Sequence, residues 1–253
     1  MMITAEVVLF LIFFGAAHIA KFIRFYLVLL EEKKLSFADV LFLYFRTTFI
    51  NLIIPFKLGE IYRIGAVYHM TGYVKTGVLS VVMDRFFDTT ALLVIILPFE
   101  LFFTGTFNVI PAVLFLCLLI LLFIYLSFAP SYSFLNRYLV TTKKSERAMA
   151  VLKALDTANE WYLFARSLIR GRSPMILLSS FIGWGAEFLA LRTCAAFFGR
   201  KFGIQEFNTY INSIFMAGES ALGHFYHILA VILIFVAMAI SAVVVIVRGE
   251  RAR

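Results

Sequence analysis

Five long apolar runs, at about 3–20, 77–103, 107–129, 174–198 and 222–247, set the limits on what this chain can fold into. A helix needs roughly 20 apolar residues to cross a hydrocarbon layer about 30 Å thick, and a backbone in lipid must satisfy its own hydrogen bonds, which helices do. With 62% of 253 residues hydrophobic and only 15% charged, a soluble globule of this size could not hide its apolar side chains. Thirty Phe and eleven Tyr suit lipid-facing and interfacial surfaces better than a soluble core. The expected class is an all-α polytopic integral membrane protein, with residues 1–253 forming one transmembrane domain. No basic region precedes the first run, and Ala17-His18-Ile19-Ala20 is a poor cleavage signature, so that run is read as a retained helix.

Charge orients these helices. A net charge of +8 would suggest nucleic acid in a soluble protein, but here the basic residues fall between apolar runs, which points to lipid headgroups and away from nucleic acid. The stretch 131–172 carries eight basic residues (Arg137, Lys143, Lys144, Arg147, Lys153, Arg166, Arg170 and Arg172) against three acidic ones and is expected to be a cytoplasmic loop. Within it, over 145–170, charge interleaved with Ala148, Leu152, Leu155, Trp161, Tyr162 and Leu168 predicts an amphipathic helix. Such a helix either lies on the inner membrane surface or packs on its own bundle. The linker 21–34 and the tail 248–253 are also net basic and are assigned to the same side, Lys21 and Arg24 extending their long side chains towards headgroups.

Parity then constrains two irregular segments. Segment 38–65 must begin and end on the cytoplasmic side, and 204–220 must begin and end outside. Each is too short for two full spans, so both read as re-entrant helical hairpins. The result is about five full spans plus two opposed hairpins in the plasma membrane, with the N-terminus outside and the C-terminus cytoplasmic. Interrupted segments at matching places in two halves suggest an inverted pseudo-repeat around a transport site; hydropathy alone carries that symmetry. Ser36 followed by Asp39 predicts a cap for the helix entering the first hairpin.

The densest polar cluster is Asn51-Leu-Ile-Ile-Pro55-Phe-Lys57-Leu-Gly59-Glu60-Ile-Tyr62-Arg63. Pro55 removes a backbone donor and Gly59 permits unusual dihedrals, so the pair is expected to break the helix and turn the chain. Lys57 and Arg63 would suit a phosphate near the cytoplasmic end of the hairpin, with Glu60, three residues from each, holding both cations between binding events. The alternative is a salt-bridged surface loop without a ligand.

A second cluster, Asp84-Arg85-Phe86-Phe87-Asp88, lies inside an otherwise apolar run, where an isolated charge costs at least about 2.5–3.5 kcal/mol on insertion scales. It must face protein or an aqueous path, either as a network that fixes helix register or as a direct contact for substrate or proton. Arg46 could pair with Asp84 or Asp88, or read a phosphate. Glu187 and Arg192 sit too far apart around their helix to pair with each other. Glu219, after Gly218, marks the break of the second hairpin.

No catalytic residue, cofactor or metal is expected: Cys117 and Cys194 lack ligand spacing, His224 and His227 lack a carboxylate motif, and no nucleophile elbow, P-loop or dinucleotide fingerprint occurs.

In order and spacing, Asn51, Pro55, Gly59-Glu60 and Arg63, followed by Asp84-Arg85 and Asp88, resemble the signature of the lysylphosphatidylglycerol synthase transmembrane family, also called the flippase-like domain family. The resemblance is strongest over 20–100, where Lys21 and Arg24 match a cation-rich segment and Phe25 or Tyr26 an aromatic. At 204–224 it thins to Gly218-Glu219, without the family's prolines and paired glycines. It implies flippase-like transport or binding of an anionic phospholipid or a polyprenyl-phosphate-linked lipid in cell-envelope biogenesis. It also implies contacts from Arg46, Asn51, Lys57, Glu60, Arg63, Asp84, Arg85, Asp88 and Glu219, with Pro55, Gly59 and Gly218 structural. A soluble aminoacyl-transferase domain is not read in these residues, so lysyl transfer is not expected. A membrane-embedded transferase acting on a lipid-linked substrate and a non-transporting accessory subunit are the competing classes. A homo-oligomer or an envelope-biosynthesis enzyme are the open protein partners.

Overall fold

The computed structural model describes residues 2–30, 35–54, 58–104, 109–142, 146–216 and 221–251. Among them the chain is all-helical: α1 (Met2–Leu29), α2 (Phe37–Ile53), α3 (Leu58–Thr71), α4 (Val74–Phe99), α5 (Val109–Thr142), α6 (Glu146–Ile169), α7 (Ser173–Phe197), α8 (Ile204–Met216) and α9 (Ala221–Arg251). A π-helical turn, Glu100–Thr104, extends α4 just after Pro98. Four helices are long and apolar enough to cross a membrane: α1 over Ala5–Leu29, α5 over Pro111–Thr141, α7 over Ser173–Phe197 and α9 over Ala221–Arg248. The protein is a polytopic all-α membrane protein. The 26 residues of α4 would rise about 39 Å, and it falls outside that group because Asp84, Arg85 and Asp88 interrupt its apolar surface.

The centre of the bundle is the antiparallel pair α1 and α7. Arg24 meets Ser180 and Lys21 meets Glu187 midway, while Arg172 Nη1 donates to the Leu27 carbonyl (2.9 Å) at one end. Small residues permit this approach: a Cβ on Gly183 would lie 3.8 Å from both the Ala17 carbonyl oxygen and the Ala20 Cβ. Towards the other end Phe10 and Phe14 of α1 share a core with Leu191 and Cys194 of α7, Phe207 and Ile211 of α8, and Tyr226 and Ile234 of α9.

α2 returns antiparallel to α1. Phe37 stacks edge-on to Phe22 and Tyr26, and Tyr44 Oη reaches His18 Nδ1 at 3.0 Å. The expected cap forms: Ser36 Oγ accepts from the Asp39 amide at 3.2 Å. Two glycines set the packing that follows. A Cβ on Gly59 would lie 2.4 Å from Asn51 Oδ1 and 2.8 Å from the Thr47 carbonyl oxygen, and one on Gly77 would lie 2.6 Å from the Ile64 carbonyl oxygen. Gly59 is therefore not a turn residue as its sequence context suggests; it is helical, in the second position of α3, and its missing side chain lets α3 press against α2. Gly72, in the left-handed region at φ 80°, closes α3 and donates to the Tyr68 carbonyl at 2.7 Å.

The charged stretch 131–172 is largely helical. α5 continues through Pro130 to Thr142, and its 34 residues would reach about 51 Å, well beyond the hydrocarbon thickness. α6 folds back on it: Tyr162 packs on Tyr125 and Phe128, and Tyr132 Oη donates to Asp156 at 3.0 Å. Leu168 of α6 is fully buried with Val28, Phe87 and Ile176. Of the two sequence alternatives for the amphipathic helix, these contacts correspond to packing on the bundle. Arg172, which sequence reads as one charge of a surface loop, instead donates to the Leu27 and Ser167 carbonyls and is half-buried.

Candidate functional site

Midway along the bundle lies a closed charge network. Asp84, 1% exposed, presents one oxygen to each of two buried arginines: Arg24 Nε donates to Oδ1 at 2.6 Å and Arg63 Nη2 donates to Oδ2 at 3.0 Å. Arg24 and Arg63 are each 3% exposed. Arg24 also pairs with Asp88 through Nη1, and Arg63 with Glu60. Arg85 Nη2 donates to Glu60 Oε1 at 2.6 Å, with Asp88 Oδ2 at 3.5 Å and Asp84 Oδ2 at 3.6 Å. Asn51 Nδ2 donates to Glu60 Oε1 at 3.1 Å, tying in α2. On the α7 side Lys21 pairs with Glu187 and lies 5.2 Å from the centre of the Trp184 ring, whose Nε1 donates to the Asp88 carbonyl at 3.2 Å.

The elements explain why these groups meet. Lys21 and Arg24 are three apart on one face of α1, Asp84 and Asp88 four apart on α4, and Glu60 and Arg63 three apart on α3. The glycine contacts at 59 and 77 bring α2, α3 and α4 close enough for short side chains to bridge. Four cations (Lys21, Arg24, Arg63, Arg85) face four carboxylates (Glu60, Asp84, Asp88, Glu187), so the network is formally neutral. That balance is what permits it at this depth, since an uncompensated charge in lipid is costly. Its open edge is Arg85, whose side chain is 38% exposed while Glu60 and Asp88 are 12% and 13%.

Several sequence expectations are corrected. Lys21 and Arg24 do not extend to headgroups; they turn inward, because the carboxylates of α4 and α7 lie beside them. Arg46 makes no pair with Asp84 or Asp88; it is exposed, with its guanidinium 4.9 Å from the centre of the Tyr62 ring. Arg63 does not lie at the turn between α3 and α4. It sits level with Asp84, about 15 Å along α4 from Val74. Glu60 holds Arg63 and Arg85. Pro55, Lys57, Gly218 and Glu219 lie outside the described residues.

Sequence reasoning gave Glu187 no partner and passed over Glu100 and Asn208. Glu100 is fully buried at the π turn, and Asn208 Nδ2 of α8 donates to it at 3.0 Å. The available signal was a carboxylate inside the last turn of an apolar run. His224 and His227 are exposed, and among the described residues no cluster of His, Cys, Asp or Glu could hold a metal.

No curated protein and no solved structure matches this chain. The family model described as the lysylphosphatidylglycerol synthase TM region matches residues 2–222, a span containing every member of the charge network. The chain belongs to the lysylphosphatidylglycerol synthase TM region family.

Proposed function

We propose that this chain binds an anionic phospholipid or polyprenyl-phosphate-linked lipid and moves it across the plasma membrane, as a flippase-like transporter in envelope biogenesis. The observation that carries the reading is Arg85: its side chain, 38% exposed, stands at the edge of an otherwise buried, charge-balanced network. A headgroup phosphate approaching Arg85 would accept the Nη2 hydrogen bond now given to Glu60 Oε1. Glu60 would keep Arg63 and Asn51, so no carboxylate is stranded. Arg46, exposed beside Tyr62, extends the cationic path; the acyl or prenyl tails stay in lipid. Asp84 and Asp88 hold the arginines in place.

The topology that goes with this reading has five spans, including α4, and two opposed hairpins, α2–α3 and the segment beginning with α8. The N-terminus is outside and the C-terminus inside. The packing of α2 antiparallel to α1, and of α3 antiparallel to α4, supports the first hairpin.

The test is Arg85→Gln in proteoliposomes holding a fluorescent phosphatidylglycerol, with chemical quenching to report movement between leaflets. A lost charge-assisted hydrogen bond of about 1.5–3 kcal/mol corresponds to about a 10- to 100-fold loss of headgroup affinity. Movement should fall accordingly, and the thermal midpoint should fall less than for loss of a fully buried cation such as Arg24, because Arg85 is the partly exposed member. Unchanged movement would remove Arg85 as the headgroup contact and the proposed function with it.

A further inference from the structure

At the far end of α7 three cations make no ion pair among the described residues. Arg192 is about 29 Å along the helix from Ser173, and Arg200 and Lys201 follow in the connection to α8. All three are exposed, and they line one cleft whose floor includes the buried ring of Phe202. One acid, Glu206, lines the same cleft; its Oε2 accepts from the Gly203 amide at 2.8 Å, and the cleft keeps two excess positive charges.

Two contrasts make this cleft informative. Within the bundle, Lys21, Arg24, Arg63 and Arg85 each have a carboxylate partner, whereas here three cations share a cleft with one carboxylate, Glu206, that pairs with none of them. The second contrast is with the positive-inside rule. The basic stretch 131–172 leads into the start of α7 and assigns that end to the cytoplasm, so the 192–201 end lies at the opposite face, where Lys and Arg are normally sparse. A cleft with two excess positive charges at that face is explained by an anion that binds there.

We propose that the Arg192, Arg200 and Lys201 cleft is a second headgroup station, taking the phosphodiester of an anionic phospholipid in the leaflet opposite the α6 end. This rests on the lipid-handling reading above and adds to it an arrival or departure site at the other face. Two guanidiniums and an ammonium bind the phosphate oxygens, Arg in planar fork geometry and Lys as a point charge. The Phe202 ring covers the apolar side, and the acyl chains run down the lipid-facing surface of α7. Because the cations are exposed and unpaired, they bind and release without a buried ion pair being broken, as exchange with bulk lipid requires.

The experiment places the full chain in phosphatidylcholine nanodiscs doped with phosphatidylglycerol carrying a diazirine on its headgroup. Crosslinked peptides are mapped by mass spectrometry in wild type, in Arg192→Gln/Arg200→Gln/Lys201→Gln, and in Arg85→Gln. Crosslinks at 192–206 should fall about fivefold per cation removed, while those at 58–88 persist. Arg85→Gln should do the reverse. Equal labelling of 192–206 in wild type and the triple variant would overturn the second station while leaving the first standing. So would equal labelling by a diazirine diacylglycerol that lacks the phosphate. Displacement by millimolar glycerol phosphate would mean a soluble anion site and would also overturn it. Loss of specific crosslinks at both peptides in wild type would end both readings. A thermal midpoint shared by the triple variant and wild type separates lost binding from misfolding.

Discussion

Removing Arg24 should destabilise this protein more than removing any exposed cation. Arg24→Met deletes the 2.6 Å bond to Asp84 Oδ1 and the pair with Asp88. Asp84 keeps Arg63 at 3.0 Å and Arg85 at 3.6 Å, but Asp88 keeps only Arg85 at 3.5 Å, the outer limit of a hydrogen bond. The network passes from neutral to one excess negative charge. Breaking a buried pair by removing one partner costs about 3–5 kcal/mol, and the residual cover of Asp84 puts this case towards the lower figure. Arg24→Met/Asp88→Asn restores neutrality, so its loss should fall below the sum of the single losses by about 1–3 kcal/mol. Equilibrium unfolding in mixed micelles reads all four corners of the cycle. Arg170→Met is the control, since Arg170 is exposed, and it should stay within about 0.5 kcal/mol of wild type. An Arg24→Met loss no larger than that of Arg170→Met, or strict additivity of the double variant, would refute the buried network.

Gly77→Ala drives a Cβ into the Ile64 carbonyl oxygen at 2.6 Å and should lower the unfolding free energy sharply, whereas Gly65→Ala meets nothing within 4 Å and should hold it or raise it by up to about 1 kcal/mol. Equal effects at the two positions would deny the close α3–α4 crossing. For topology, Cys117 and Cys194 are first replaced; then Ala150→Cys should be protected from an impermeant thiol reagent in intact cells and Lys201→Cys labelled, the reverse pattern defeating the orientation. Lys201 is preferred to Phe202, whose side chain is buried.

How much was readable in the chain follows from which physical quantity each feature depends on. Membrane insertion depends on composition over about 20 residues, so α1, α5, α7 and α9 stand out in one dimension, and Asp84, Arg85 and Asp88 stand out because they violate the pattern around them. Pairing depends on what lies across the bundle. Arg24, near the end of an apolar run, reads the same as a residue reaching for headgroups until Asp84 and Asp88 are seen beside it. Gly59 follows Pro55 closely enough to suggest a turn, yet the constraint on it comes from Thr47 and Asn51 of another helix. Arg172 sits among seven other basic residues in a charged stretch, and only the end of α1 folding against it makes it a carbonyl cap.

The position of the charges on α4 has a consequence for assembly. Taken alone, α4 carries three charges in its central turns and would insert poorly, each costing at least about 2.5–3.5 kcal/mol. Their partners come from helices on both sides of it in sequence: Arg24 from α1, Glu60 and Arg63 from α3, and the Trp184 indole, which caps the Asp88 carbonyl, from α7. α1 and α3 precede α4 in the chain, so the neutralising charges are present when α4 is made, and α7 closes the site afterwards. The neutral network therefore lets a charged helix occupy the centre of the bundle, and it leaves Arg85 as its partly exposed edge.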